Sequence, residues 1–210
     1  MPLRPEPLTR RVALERPESW RDVVSEVAVA LAAGEIALLP AEGLYGYHVR
    51  ADLPQALARL QALKPREPGR GWIVLLAEPR TPAAWGPPLA GKAAALAKAH
   101  WPGALTIVMS ATPGVPPDLR AADGTVALRC PGSAFLRDVA AAAGGPVVTT
   151  SANRPGEAPP RDFESSAREG VAVAVDAGSL SGLPSTLVRV DGSTVQVLRS
   201  GAVSVEGEGP

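Results

Sequence analysis

Residues 146–160, PVVTTSANRPGEAPP, run five strand-forming residues straight into Ser151, Ala152 and Asn153, with Gly156 and three prolines behind them. A buried strand that ends in short hydroxyl and amide side chains fits the carboxyl edge of an α/β sheet, where ligands collect in the crevice. The residue types favour an anion. The remainder of the chain must then supply a sheet around that strand.

Apolar periodicity supplies it. Val23, Val24, Val27, Ala30 and Leu31 recur at helical spacing, after Ser19 and Asp22 in a capping-box arrangement and before Gly34, which predicts a helix over 20–33. A second helix starts at Asp52 and Pro54 and carries Leu57, Leu60 and Leu63 on one face. Residues 89–99 form an alanine-rich helix, Ser133 caps another through Ala143, closed by Gly144 and Gly145, and a short one lies near 162–169. The unbroken apolar run at 36–39 suits a strand covered on both faces, and the largely apolar segments 72–76, 105–109, 125–129, 146–150 and 171–175 also read as strands. Residues 185–190 and 194–198 flank Asp191-Gly192, a hairpin signal. Residues 40–49, with glycines at 43 and 46, read as a loop. About seven strands and four or five helices in mixed order give an α/β fold, an open twisted mixed parallel and antiparallel sheet with helices on its faces. We expect a single domain over 1–210, with the first ~15 and last ~6 residues flexible.

Composition narrows the function classes. The chain has 46% hydrophobic and 20% charged residues, as soluble globular proteins do, and its 210 residues allow roughly 70% of the unfolded surface to be buried. Basic and acidic residues both number 21, so no global field recruits nucleic acid. No apolar run is long enough for a signal peptide or a membrane span, which points to a cytoplasmic protein. Cys130 is the lone cysteine, which excludes an internal disulfide and a thiolate metal site and suggests a small buried residue. His48 and His100 lack metal-ligand spacing, so no protein metal site is expected.

The cations between 64 and 80 are the local exception. In LKPREPGRG, Lys64, Arg66 and Arg70 precede a strand, and Pro65 and Pro68 forbid a continuing helix, so these cations ride a stiff loop. They form either a solvated charge run or a polyphosphate site facing a glycine loop. Arg129 closes the strand 125–129 beside Pro131-Gly132. Such a strand-end arginine is a further candidate for an anion.

Several of these pieces agree in type and order with one family. PAEGLYG (40–46), LKPREPGRG (63–71), HWPGALT (100–106), TVALRCP (125–131), TTSANRPGE (149–157), PSTLVRV (184–190) and LRSG (198–201) resemble the motifs of the YrdC/YciO family of threonylcarbamoyl-AMP synthases. The resemblance implies a YrdC-like fold with a basic concave surface. It implies a nucleotidyltransferase that joins L-threonine, bicarbonate and ATP, with magnesium carried by the ATP, into threonylcarbamoyl adenylate and pyrophosphate. Downstream tRNA threonylcarbamoyl-transfer proteins would then use that product to modify tRNA.

The same resemblance assigns residues. Lys64, Arg66 and Arg70 would be the catalytic cations, with Arg66 and Arg70 on the ATP phosphates. Thr125 and Ser151 would hydrogen-bond the phosphate or adenylate, Asn153 would shape the loop, and Arg199 would close over the nucleotide. Arg129, Thr149 and Ser185 would hold threonine or bicarbonate, and Gly43 stands at a further position of that pocket. There the family commonly reads PTDTVYG, so Ala41 and Gly43 replace two threonines. Leu75 stands where longer members carry a substrate-binding histidine, and Pro155 replaces a common serine. The missing hydroxyl and histidine leave open a paralogue acting on another amine or carbamoyl substrate. A further alternative is a non-catalytic module that binds double-stranded RNA or tRNA through backbone and shape.

Overall fold

A computed structural model describes residues 8–65, 69, 71–80, 85–153, 157–166 and 170–206. Among these residues ten strands hydrogen-bond into one mixed sheet, in the order β1-β8-β2-β3-β7-β4-β6-β5-β9-β10. In chain order the elements are β1 Leu8–Arg11, α1 Arg21–Ala32, β2 Ile36–Ala41, β3 Leu44–Arg50, α2 Pro54–Leu63, β4 Ile73–Leu75, α3 Gly91–His100 and β5 Leu105–Ser110. They continue as β6 Thr125–Arg129, α4 Ala134–Ala142, β7 Val147–Ser151, β8 Val171–Asp176, β9 Thr186–Asp191 and β10 Thr194–Arg199. The open mixed sheet and its covering helices agree with the sequence reading.

Alternation along the strands sends side chains to two separate cores. Ala37, Leu39, Leu75, Val147, Val173 and Val175 pack with Val27, Leu31, Phe135 and Val139 of α1 and α4. Trp20 meets Phe135 edge-on with ring centroids 6.1 Å apart. On the other face Tyr45, Tyr47, Val49, Val74 and Leu128 pack with Leu57 and Leu60 of α2 and Ala97 of α3. The central strands are thus covered on both sides, which is why their sequences are continuous apolar runs.

Four expectations need correction. Residues 44–50, expected as part of a loop, form β3, antiparallel to both β2 and β7. The glycines that suggested a loop have a packing cause at Gly46, where an added Cβ would lie 3.0 Å from the Thr150 carbonyl oxygen. Residues 8–11, expected to be flexible, form β1, parallel to β8, with Arg11 on Asp176 at 2.8 Å. These residues carry no strand signal because the backbone ladder to β8, with the ion pairs of Arg10 to Glu26 and Arg11 to Asp176, recruits them. Ser19 does not cap α1. Its hydroxyl donates to the Ala13 carbonyl at 2.9 Å, and Trp20 occupies the cap without a side-chain bond. Residues 162–166 make bends and turns instead of the expected short helix, whose remaining residues lie outside those described. The Ser133 cap does form, accepting from the Leu136 amide at 3.3 Å.

Candidate substrate cleft

A cleft of about 600 Å³ opens on the sheet face that carries α1 and α4, beyond the part those helices cover. Ile73, Thr149 and Ser151 line it, and each lies an even number of residues from Leu75 or Val147 on the α1/α4 side. Arg129 ends β6 and Ser151 ends β7, yet the two strands run in opposite senses, through β4. Arg129 is therefore level with Val147 while Ser151 is level with Gly46, and the cleft crosses the sheet face instead of following one carboxyl edge.

At one end α2 delivers Lys64 to the loop after β7. Its ammonium donates to the Ser151 carbonyl at 2.5 Å, the Ser151 hydroxyl at 2.9 Å and Asn153 Oδ1 at 2.7 Å. The Ser151 hydroxyl donates on to Asn153 Oδ1 at 2.6 Å, and Asn153 Nδ2 donates to the Glu157 carbonyl at 2.8 Å. This network ties Ser151, Asn153 and Glu157 to the end of α2. Lys64 is thus held as a tether of that loop as well as a cation at the cleft.

At the other end Arg129 is 7% exposed. Its Nε donates to the Gly103 carbonyl at 3.3 Å, and its Nη2 ion-pairs with Glu42. Burial, and then the nearby Arg199 charge, lower its pKa to about 10. Arg199 is anchored by the backbone ahead of β9, with Nη2 donating to the Ser185 carbonyl at 2.8 Å and the Ser185 hydroxyl at 3.1 Å. The Ser185 and Thr106 hydroxyls are 2.8 Å apart, bridging β5 to this corner. A cis peptide between Trp101 and Pro102 precedes Gly103, whose amide donates to the Cys130 carbonyl at 2.9 Å.

The segment 177–185 lies against the cleft wall. Tyr45 holds it twice, its hydroxyl donating to the Gly178 carbonyl at 2.8 Å and accepting from the Ala177 amide at 2.9 Å. Burial pushes the Tyr45 pKa up to about 12, so it remains a donor. The Gly182 amide donates to the Gly43 carbonyl at 2.6 Å, and a Cβ at Gly43 would stand 2.1 Å from the Leu183 carbonyl oxygen. Gly43 is therefore where the Leu183 backbone crosses the loop, a steric requirement that the loss of a hydroxyl does not describe.

The structure thus gathers Gly43, Lys64, Arg129, Thr149, Ser151, Ser185 and Arg199 around one cleft, with Asn153 bound to its lysine. Thr125 is not among them. It sits at the opposite end of β6 from Arg129, and its hydroxyl donates to Asp123 Oδ1 at 2.7 Å. Leu75 is also not a lining residue, because it packs under α1 and α4 while Ile73 faces the cleft, so the two departures do not share a pocket. Arg66, Arg70, Pro155 and Gly156 lie outside the described residues. Gly69 is described, and its carbonyl accepts from the Ala122 amide at 2.8 Å. The sequence reading missed Glu42, Thr106 and Tyr45 as site residues. Glu42 stands directly after a buried strand, but its partners Arg129, Gly132 and Ser133 are distant in sequence.

The charged side chains among the described lining residues are Lys64, Arg129 and Arg199, all of one sign. Such an array in a partly buried cleft concentrates anions. Hydroxyls beside the cations add neutral donors. These features define an α/β protein with a cationic, hydroxyl-lined cleft on its sheet. The family model Sua5_yciO_yrdC, described as "Telomere recombination", matches residues 29–201, and the chain belongs to the Sua5/YciO/YrdC family. A Mycobacterium tuberculosis protein provisionally named threonylcarbamoyl-AMP synthase is 37% identical over 194 residues, 89% of this chain and 87% of its own. A Chromohalobacter salexigens protein named threonylcarbamoyl-AMP synthase is 33% identical over 169 residues, 79% of this chain and 91% of its own. Among solved structures, P. abyssi Sua5 complexed with L-threonine superposes with a TM-score of 0.81 at 25% identity, covering 92% of this chain and 57% of that one. E. coli YciO has a TM-score of 0.83 at 19% identity, covering 95% and 98%, and shares the fold.

Proposed function

We propose that this chain is an L-threonylcarbamoyladenylate synthase, forming that adenylate and pyrophosphate from L-threonine, bicarbonate and ATP. The observation that carries the reading is Arg129, a buried guanidinium at the cleft beside the hydroxyls of Thr149 and Ser185. The names of the relatives and the threonine bound by P. abyssi Sua5 support it. In this reading the threonine nitrogen bonds to the bicarbonate carbon with loss of water. A carbamate oxygen then bonds to the α-phosphorus as the bond to pyrophosphate breaks.

Charge builds on phosphorus and on the leaving pyrophosphate, so fixed cations suffice and no covalent nucleophile is needed. Arg129 takes the threonine carboxylate. Thr149 and Ser185 offer it further hydrogen bonds. Lys64, Ser151 and Asn153 face the phosphate side, Arg66 and Arg70 supply further cations from their loop, and Arg199 covers the nucleotide. Thr125, whose hydroxyl is committed to Asp123, is left out of this assignment. Magnesium would enter on the ATP phosphates. Proteins that transfer threonylcarbamoyl to tRNA would consume the product.

Arg129→Lys tests the reading. Lysine replaces a planar fork with one point charge, so the threonine KM should rise roughly tenfold or more while ATP affinity is kept. An unchanged threonine KM would remove Arg129 from the pocket.

A further inference from the structure

Arg129 does not stand alone at the cleft. The Glu42 carboxylate, at the turn between β2 and β3, reaches across to it and is gripped from two sides. Its Oε1 accepts from the Gly132 amide and from the Ser133 amide at 3.2 Å, where α4 begins. Its Oε2 faces Arg129 Nη2, with side-chain exposures of 22% for Glu42 and 9% for Arg129. The Gly103 carbonyl receives Arg129 Nε. One edge of the guanidinium is thus committed to the protein, held by Glu42 and by the Gly103 carbonyl.

Resting on the function proposed above, we infer that Glu42 is the positioning residue of the substrate carboxylate site. It holds the Arg129 guanidinium so that its uncommitted donors meet the threonine carboxylate, and it offsets one of the two clustered arginine charges. The anchoring at α4 argues for this role over that of a mobile stand-in. A latch displaced by substrate would have to abandon two backbone amides as well as Arg129, whereas a brace keeps all three. Without Glu42 the buried Arg129 would lose its ion-pair partner, and its orientation with it.

The test compares wild type with Glu42→Gln and Glu42→Ala by calorimetric binding of L-threonine, by initial rates of pyrophosphate release and by thermal unfolding. Glutamine keeps an oxygen for the Gly132 and Ser133 amides and turns an amide NH2, which cannot accept, toward Arg129, so the ion pair is lost. Its threonine Kd and KM should rise roughly tenfold, with kcat and the ATP KM within about twofold of wild type. Alanine should weaken threonine binding further. Two results would overturn the inference: a lower melting temperature in Glu42→Gln with threonine Kd unchanged, which is a structural role only, or tighter threonine binding, which makes Glu42 a competitor for Arg129. Failure of the wild type to bind threonine would overturn the proposed function and this inference with it. Wild-type binding with an indifferent Glu42→Gln would overturn this inference alone.

Discussion

Gly43→Thr would restore the residue common at this position in the family, and the structure predicts loss instead of gain. A Cβ built on Gly43 lies 2.1 Å from the Leu183 carbonyl oxygen and 2.9 Å from the Leu183 nitrogen. Carbon–oxygen contacts settle near about 3.3 Å, so the 177–185 segment would have to retreat by about 1 Å. That movement exceeds what the 2.6 Å bond from Gly182 to the Gly43 carbonyl can absorb. The lost hydrogen bond costs about 1 kcal/mol and the overpacking about 1–3 kcal/mol. Together they predict a loss of about 2–4 kcal/mol. Urea unfolding should show a lower midpoint at constant slope. The retreat also carries Ser185 and the Arg199 anchor away from the cleft, so the threonine KM should rise. A variant within about 0.5 kcal/mol of wild type that uses threonine better would refute this reasoning.

Three further outcomes follow from single contacts. Tyr45→Phe leaves the Ala177 amide and the Gly178 carbonyl without their buried partner and should cost about 1–3 kcal/mol by chemical denaturation. His48 is fully buried with Nδ1 3.0 Å from the Gly46 carbonyl, and burial pushes its pKa from 6.5 to about 4. The unfolded chain binds the extra proton, so stability should fall as pH drops from about 6.5 toward 4, by on the order of 3 kcal/mol in all, and His48→Gln should flatten that window. Lys64→Met strips three donated bonds from Ser151 and Asn153, so ATP affinity measured by titration should fall roughly tenfold, with the loop after β7 less protected from hydrogen exchange.

Elements whose side chains carry the folding signal were legible in advance. The strand 125–129 is observed with those bounds, and the helices expected over 20–33 and 133–143 differ from α1 and α4 by about a residue at each end. What escaped was set by tertiary contact. β3 contains Gly46 because the Thr150 backbone approaches it, and β1 is ordered by pairing with β8 and by the ion pairs of Arg10 and Arg11 to distant carboxylates. The same division holds at the cleft. Lys64, Ser151, Arg129 and Arg199 could be picked out because their residue types stand at the ends of periodic segments. Glu42 and Tyr45 could not be assigned, because their roles depend on which distant segments, α4 and 177–185, fold back onto them. Gly43 was read as a lost hydroxyl, since sequence cannot reveal that Leu183 lies across it.

The most direct measurement is mass spectrometry of the adenylate formed from ATP, L-threonine and 13C-labelled bicarbonate. The account predicts threonylcarbamoyladenylate carrying one labelled carbon, with pyrophosphate released in equal amount and none without threonine. Pyrophosphate release that is indifferent to threonine, or an adenylate without the labelled carbon, would contradict it.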